Sequence, residues 1–207
     1  MIYGLLGSLW SPTLEGITFA DRPGQVYVSA RSVANATGRR FEYDSVTDLA
    51  KLGGQDLSVD YPRLFSGAIL MPVEKTNAYG VEVGKKRVFV DLNKQEIWAW
   101  QGKMVVLHSP ISSGRELKDT PPGDYITGKK ETMHISSIYG SKMPFSVHLK
   151  GNYFIHGSEL TLSTPGSHGC IRLPMYDNNA AKWFFSWVDQ GVSVKVRGKK
   201  GSSKGVE

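Results

Sequence analysis

Cysteine is scarce in this 207-residue sequence: Cys170 is the only one, which excludes an intrachain disulfide and any all-cysteine zinc site. No apolar run approaches the roughly 18 residues that cross a bilayer as a helix, so no transmembrane span is expected in this chain. The apolar opening, Met1 to Trp10, lacks the basic stretch of a secretory signal and reads either as the stub of one or as a first strand. Phosphate-cradling loops and nucleic-acid motifs are also missing, which removes nucleotides and nucleic acids from the expected partners. The net charge of +6 would suit an anionic polymer such as cell wall, but much of it sits in the tail from Arg197 to Gly205, which reads as a solvated end.

What the sequence has in quantity is strand and turn chemistry. With 23 Gly and 10 Pro among short runs of Val, Ile, Tyr, Phe and Trp, it favours strands over long helices. The first third carries a weak internal repeat. Gly24 opens a strand, a helical stretch ending near Gly38, and a strand from Arg40; Gly67 opens a strand, a stretch ending at Gly80, and a strand over Val81–Val83. Ser29 suits a helix N-cap, Pro72 a helix start, and Gly38 and Gly80 the left-handed position past a helix end. From about Val83 the pattern becomes a series of strands: Arg87–Leu92 and Glu96–Trp100 as a hairpin, then Met104–His108, Tyr125–Thr127, Ser146–Lys150 and Tyr153–His156. One main helix follows, with Asp177 as cap and Ala181, Phe184, Phe185 and Val188 on its apolar face. Gly191 stops it, and Val192, Val194 and Val196 alternate as a last strand. The fold class is therefore mainly β, a sandwich- or barrel-like domain with a cleft at one end.

The chemistry concentrates in Tyr153–Ser158 and Ser167–Leu173. If Gly169–Leu173 is extended, Cys170 and Arg172 share one face while Ile171 and Leu173 anchor the other in the core. On the neighbouring strand His156 and Phe154 share a face, so pairing the two strands brings imidazole and thiol together. An adjacent imidazole is expected to lower the thiol pKa, supply thiolate, and later protonate a leaving amine. Gly169 lets a substrate approach the backbone closely. The amide of Cys170, with that of Gly169 or His168, is expected to donate to an oxyanion, each such donor being worth roughly 3 kcal/mol.

His156 followed by Ser167-His-Gly-Cys170 resembles the signature of the L,D-transpeptidase (YkuD) catalytic domain family. Val88–Trp100, Ser112–Gly114, Thr120–Ile126 and Met143–Phe145 resemble further stretches of that family, and the likeness covers about residues 84–197. The N-terminal part resembles more weakly the small repeat of copper amine oxidase N-terminal-like domains. The resemblances imply a small α+β repeat module at 1–83, an L,D-transpeptidase catalytic domain at 84–197 and a disordered basic tail at 198–207. They imply a peptidoglycan transpeptidase: Cys170 attacks a stem tetrapeptide, D-Ala leaves, and the acyl group passes to an amine of a second stem. His156 is then base and acid, with the Gly157 carbonyl orienting it; Ser167, His168 and Arg172 shape the substrate pocket, and Arg172 meets a substrate carboxylate. Peptidoglycan stem peptides are the implied partners, β-lactams such as carbapenems the implied inhibitors, and the cell envelope the implied site after export. Ser113 replaces the family's usual Thr, and the His156–Ser167 interval is shorter than in many members, which bears on substrate preference.

Alternatives remain at this point. Water as acceptor would make the chain an L,D-carboxypeptidase, and a catalytically silent wall-binding protein is the rival from another class. His156, His168 and Cys170 are also zinc-ligand types, but the motif brings no acidic partner for them, and no metal or other cofactor is expected. His108, His134 and His148 belong to no motif and read as surface or hydrogen-bonded histidines. Trp98, Trp100, Trp183 and Trp187 read as core or inter-domain packing rather than a carbohydrate platform.

Overall fold

A computed structural model describes residues 14–160 and 163–198. The apolar opening up to Trp10 and the basic tail from residue 199 on lie outside the described residues. The chain forms two compact units. One contains Tyr27–Val83; the other contains Gly16–Val26, expected with the first module, together with the chain from Gly84 on.

A short strand, β1 (Ile17–Thr18), precedes the first unit in sequence. In that unit β2 (Val26–Ser29) leads into α1 (Ala30–Thr37), and β3 (Phe41–Asp44), β4 (Leu49–Leu52) and β5 (Gln55–Asp56) form an antiparallel meander. β6 (Leu70–Pro72) pairs antiparallel with β2 and runs into a 3-10 helix, Val73–Tyr79. Both helical stretches end on left-handed glycines, Gly38 and Gly80, where a side chain would be strained. The two copies of the repeat then diverge. Thr76, fully buried, places its hydroxyl 2.9 Å from both Val73 O and Val81 O. The first contact competes with the α-helical ladder and the second occupies a carbonyl that a strand would need. The second stretch is accordingly 3-10, and no strand follows at Val81–Val83, contrary to the sequence reading.

The second unit is built on two sheets. The first has the order β10 (Gly123–Ile126), β15 (Ser193–Arg197), β7 (Lys86–Asp91), β8 (Glu96–Gln101), β9 (Met104–Pro110). Period-two alternation turns Val88, Val90, Ile97, Ala99, Val106, Val194 and Val196 inward, each at most 3% exposed. Trp98 and Trp100 therefore fall on the opposite face of β8, where Trp98 stacks on His108 with 3.7 Å between ring centroids. The second sheet runs β11 (Lys130–Ile135), β12 (Lys142–Lys150), β13 (Tyr153–Ser158), β14 (Ile171–Pro174). Its first three strands are antiparallel, whereas β13 and β14 are parallel.

Helix α2 (Ala180–Trp187) packs against β12, β13 and β14. Its cap is Asn179, whose Oδ1 accepts from Lys182 N at 2.9 Å, and not the expected Asp177. Asp177 and Asn179 both take positive φ, so the entering turn is tight enough to bring the later residue to the cap position. Trp183 and Trp187 join Ala181 and Phe184 on the buried face, burial worth about 1.5–3 kcal/mol for each large side chain. At the other end Lys86 Nζ donates to Trp187 O (2.7 Å) and Lys130 Nζ to Val188 O (2.6 Å), giving two late carbonyls of the helix cationic partners.

Candidate active site

The four-stranded sheet carries a cavity of about 1120 Å³ whose wall includes Cys170, His156, Arg172 and His168. Parallel pairing sets the positions of the first two. Ile155 is level with Ile171 and His156 with Arg172, so Cys170, one residue before β14, comes level with Phe154. Ile171 and Leu173 are each 1% exposed and hold β14 in the core, leaving Cys170 and Arg172 half-buried at the cavity.

His156 is buried, and its Nδ1 lies 2.9 Å from the carbonyl of Gly157. A carbonyl can only accept, so the proton resides on Nδ1 and Nε2 keeps its lone pair. Burial pulls the imidazole from its ordinary 6.5 down to about 4; the Gly157 carbonyl opposes this, and the charge of Arg172 adds to it. The thiol of Cys170 is pushed up by burial, against the weaker pull of the Phe154 backbone and the Arg172 charge, and Sγ donates to Asn152 O at 3.6 Å. Where the imidazole was expected to lower the thiol, desolvation works the other way on both groups, disfavouring thiolate and imidazolium alike.

The loop before Cys170 is fixed by hydrogen bonds. Ser167, 1% exposed, donates from Oγ to Cys170 O (2.5 Å) and accepts from Gly169 N (3.0 Å). The Gly169 N–H is thus engaged with Ser167, and the Ser167 hydroxyl proton is spent on shaping the loop. Thr120 braces the same loop from outside: its buried hydroxyl donates to Gly169 O (2.8 Å) and accepts from Gly114 N (2.8 Å). Gln95 extends the brace, with Oε1 accepting from Ser113 N (2.9 Å) and Nε2 donating to Ser113 Oγ (2.8 Å), while Ser113 O accepts from Gly166 and Ser167 (2.9 Å each). Gly169 sits at φ 115°, and a Cβ there would lie 2.7 Å from the Tyr153 ring. A Cβ on Gly157 would lie 2.6 Å from Met175 Sδ.

His168 stands at the exposed rim, where Nε2 accepts from Arg115 (3.0 Å) and the ring lies against Tyr139, 4.4 Å between centroids. Burial and the nearby Arg115, Arg172 and Lys118 charges keep it below its ordinary value. Arg172 donates to Gly166 O (3.3 Å). Among the described residues no three His, Cys, Asp or Glu side chains group as metal ligands would.

Sequence reasoning missed several residues here. Thr120 and Ser113 lay in family-like stretches without an assigned role, and Gln95 lay between the two strands of the expected hairpin. His134, read as an ordinary surface or hydrogen-bonded histidine, lines the cavity, with Nδ1 2.5 Å from Glu131 Oε2 and its ring stacked on Phe154 at 4.7 Å. A Glu three positions before a His on a strand gives no signal, because regular alternation would put them on opposite faces. Opposite these residues on β12, Phe145 takes a positive φ of 54°.

A thiol and an uncharged imidazole on one wall of an open cavity, in a mainly β unit, define a candidate cysteine acyl-transfer centre. The model of the L,D-transpeptidase catalytic domain (YkuD) matches residues 85–196, and the chain belongs to that family. It is similar to the L,D-transpeptidase (Yku) of Stackebrandtia nassauensis, with 26% identity, a TM-score of 0.52, and 56% of this chain matched to 57% of that one. The match thus spans little more than half of that relative's length. The fold is shared with an L,D-transpeptidase from Mycobacterium smegmatis (16% identity, TM-score 0.50, 90% of this chain and 100% of that one). It is shared also with LdtMt1, an L,D-transpeptidase solved in complex with imipenem (15% identity, TM-score 0.50, the same coverages). No curated protein matches the sequence significantly.

Proposed function

We propose that this chain is a peptidoglycan L,D-transpeptidase of the cell envelope with Cys170 as nucleophile and His156 as its base and acid. The observation that carries the reading is that the single thiol and an imidazole with a free Nε2 line one cavity inside the family's domain. As Sγ attacks the amide carbon between the third and fourth residues of a stem tetrapeptide, its proton passes to His156 Nε2. The C–N bond breaks, the nitrogen takes that proton, and D-Ala leaves behind a thioester. An amine of a second stem then forms the new C–N bond as the C–S bond breaks, and sulfur recovers a proton through His156. A neutral starting pair suits this sequence, because charge separates only as the substrate closes the cavity to water. The Cys170 and His168 amides serve the oxyanion, and Arg172 meets a substrate carboxylate.

Purified protein incubated with stem tetrapeptide is expected to give a cross-linked dimer with release of D-Ala, and imipenem is expected to leave a covalent adduct on Cys170. Tripeptide without dimer would assign water as the acceptor. A Cys170→Ala protein that retained either reaction would refute the mechanism.

A further inference from the structure

We propose that His134, held by Glu131, is the base for the acceptor amine, separate from His156, which serves the thiol. The inference rests on the acyl-transfer reading above and concerns its second half. An acceptor alkylamine, with a pKa near ~10, arrives as an ammonium ion that has no lone pair. Making the amide requires it to lose two protons: one ends on the sulfur of Cys170, and the other must leave the site. His156 has one vacant nitrogen, since Nδ1 is committed to Gly157. It can carry the first proton to sulfur, and the second needs another base.

His134 meets that need by position and by tautomer. It lines the same cavity as Cys170, its ring stacks on Phe154, and Phe154 stands level with Cys170 across the β13–β14 pair. Lys129 and His134 hold the Glu131 carboxyl below its usual range, so it is ionised at neutral pH and can only accept. The proton between the two residues therefore sits on His134 Nδ1, leaving Nε2 as the acceptor. The carboxylate also lies opposite the positive charge that appears when Nε2 is protonated. The His134 side chain is 27% exposed, enough to release the proton to solvent afterwards. The titratable groups around it are Glu131 on β11, Lys129 just before that strand, His148 edge-on to Phe154, and His156 on β13.

The balance is complete. The acceptor ammonium gives one proton to His134 Nε2; the amine attacks the thioester carbon; its second proton passes through His156 to the departing sulfur; and His134 returns its proton to water. Hydrolysis needs no such step, because water already has a lone pair.

The test separates the two halves of the reaction in the full chain. Adduct formation with imipenem reads acylation, and the ratio of cross-linked dimer to tripeptide from stem tetrapeptide reads the fate of the thioester. His134→Gln is expected to keep the wild-type adduct rate within about twofold and to lower the dimer-to-tripeptide ratio at least about tenfold, within the range of general-base effects. Glu131→Gln is expected to lower the ratio in the same direction. Raising the pH toward the acceptor's own pKa is expected to restore the ratio in His134→Gln, because the amine then arrives deprotonated. An unchanged ratio in both variants, parallel loss of adduct and dimer, or no recovery at high pH would overturn the inference. Failure of the wild-type protein to form the adduct would instead overturn the acyl-transfer reading beneath it.

Discussion

Replacing His156 by Gln should flatten the acid side of this protein's stability curve. Burial holds the folded imidazole at about 4 against an ordinary 6.5. Between those values the unfolded chain binds a proton that the folded one refuses. The stabilisation is fully present above pH 6.5 and is lost as the pH falls toward 4. At about 1.4 kcal/mol per pH decade, the gap is worth about 3 kcal/mol, of which about 2 to 3 kcal/mol is lost between pH 7.5 and 4.5. For a chain of this size that corresponds to a fall in Tm of roughly 5–10 °C. Carboxylates titrate over the same window in both proteins, so the quantity to measure is a difference. Thermal unfolding of wild type and His156→Gln is compared at pH 7.5, 6.0 and 4.5. The variant keeps a donor for Gly157 O but has nothing to titrate, so its Tm should fall less by that amount. Parallel Tm profiles for the two proteins would show that the imidazole is not held neutral by burial, and the account of the resting pair would fail with it.

Thr120→Val conserves volume but removes the hydroxyl between Gly114 and Gly169, stranding two backbone groups. At about 1–3 kcal/mol each, Tm should fall by roughly 4–24 °C and imipenem acylation should slow, with Thr120→Ser recovering most of both; a wild-type Tm in Thr120→Val would refute the brace. Because burial pushes the Cys170 thiol up, iodoacetamide should alkylate it at pH 7 more slowly than free cysteine, with the rate still rising above pH 9. A plateau below pH 8, read by mass spectrometry, would mean a resting thiolate.

Strand positions were legible wherever alternation was strong. Ile171 and Leu173 against Cys170 and Arg172 could be read directly, because one face must be apolar to anchor the segment. The ionisation of the pair could not: a sequence shows that an imidazole and a thiol are neighbours but not how much water each has lost. Interactions across long separations were equally hidden. Nothing local marks Gln95 as the partner of Ser113 or Thr120 as the partner of Gly169, since each contact exists only after the sheets pack. The helix cap was misplaced by two residues for a local reason, left-handed residues on either side of Asn178 being a geometry that residue preferences do not specify.

The side-by-side, same-direction arrangement of β13 and β14 has a further consequence. Strands running the same way cannot be joined by a tight turn, so the chain must travel back along the full length of the sheet between residues 158 and 171. That return path ends at Cys170, on the cavity wall, while the level at which sulfur meets its neighbour is fixed by the ladder and not by the path. Residues can therefore be added to or removed from this detour ahead of Gly166, where the hydrogen bonds to Ser113 begin, without shifting the ladder. The architecture separates the part of the chain free to vary in length from the part whose register is fixed.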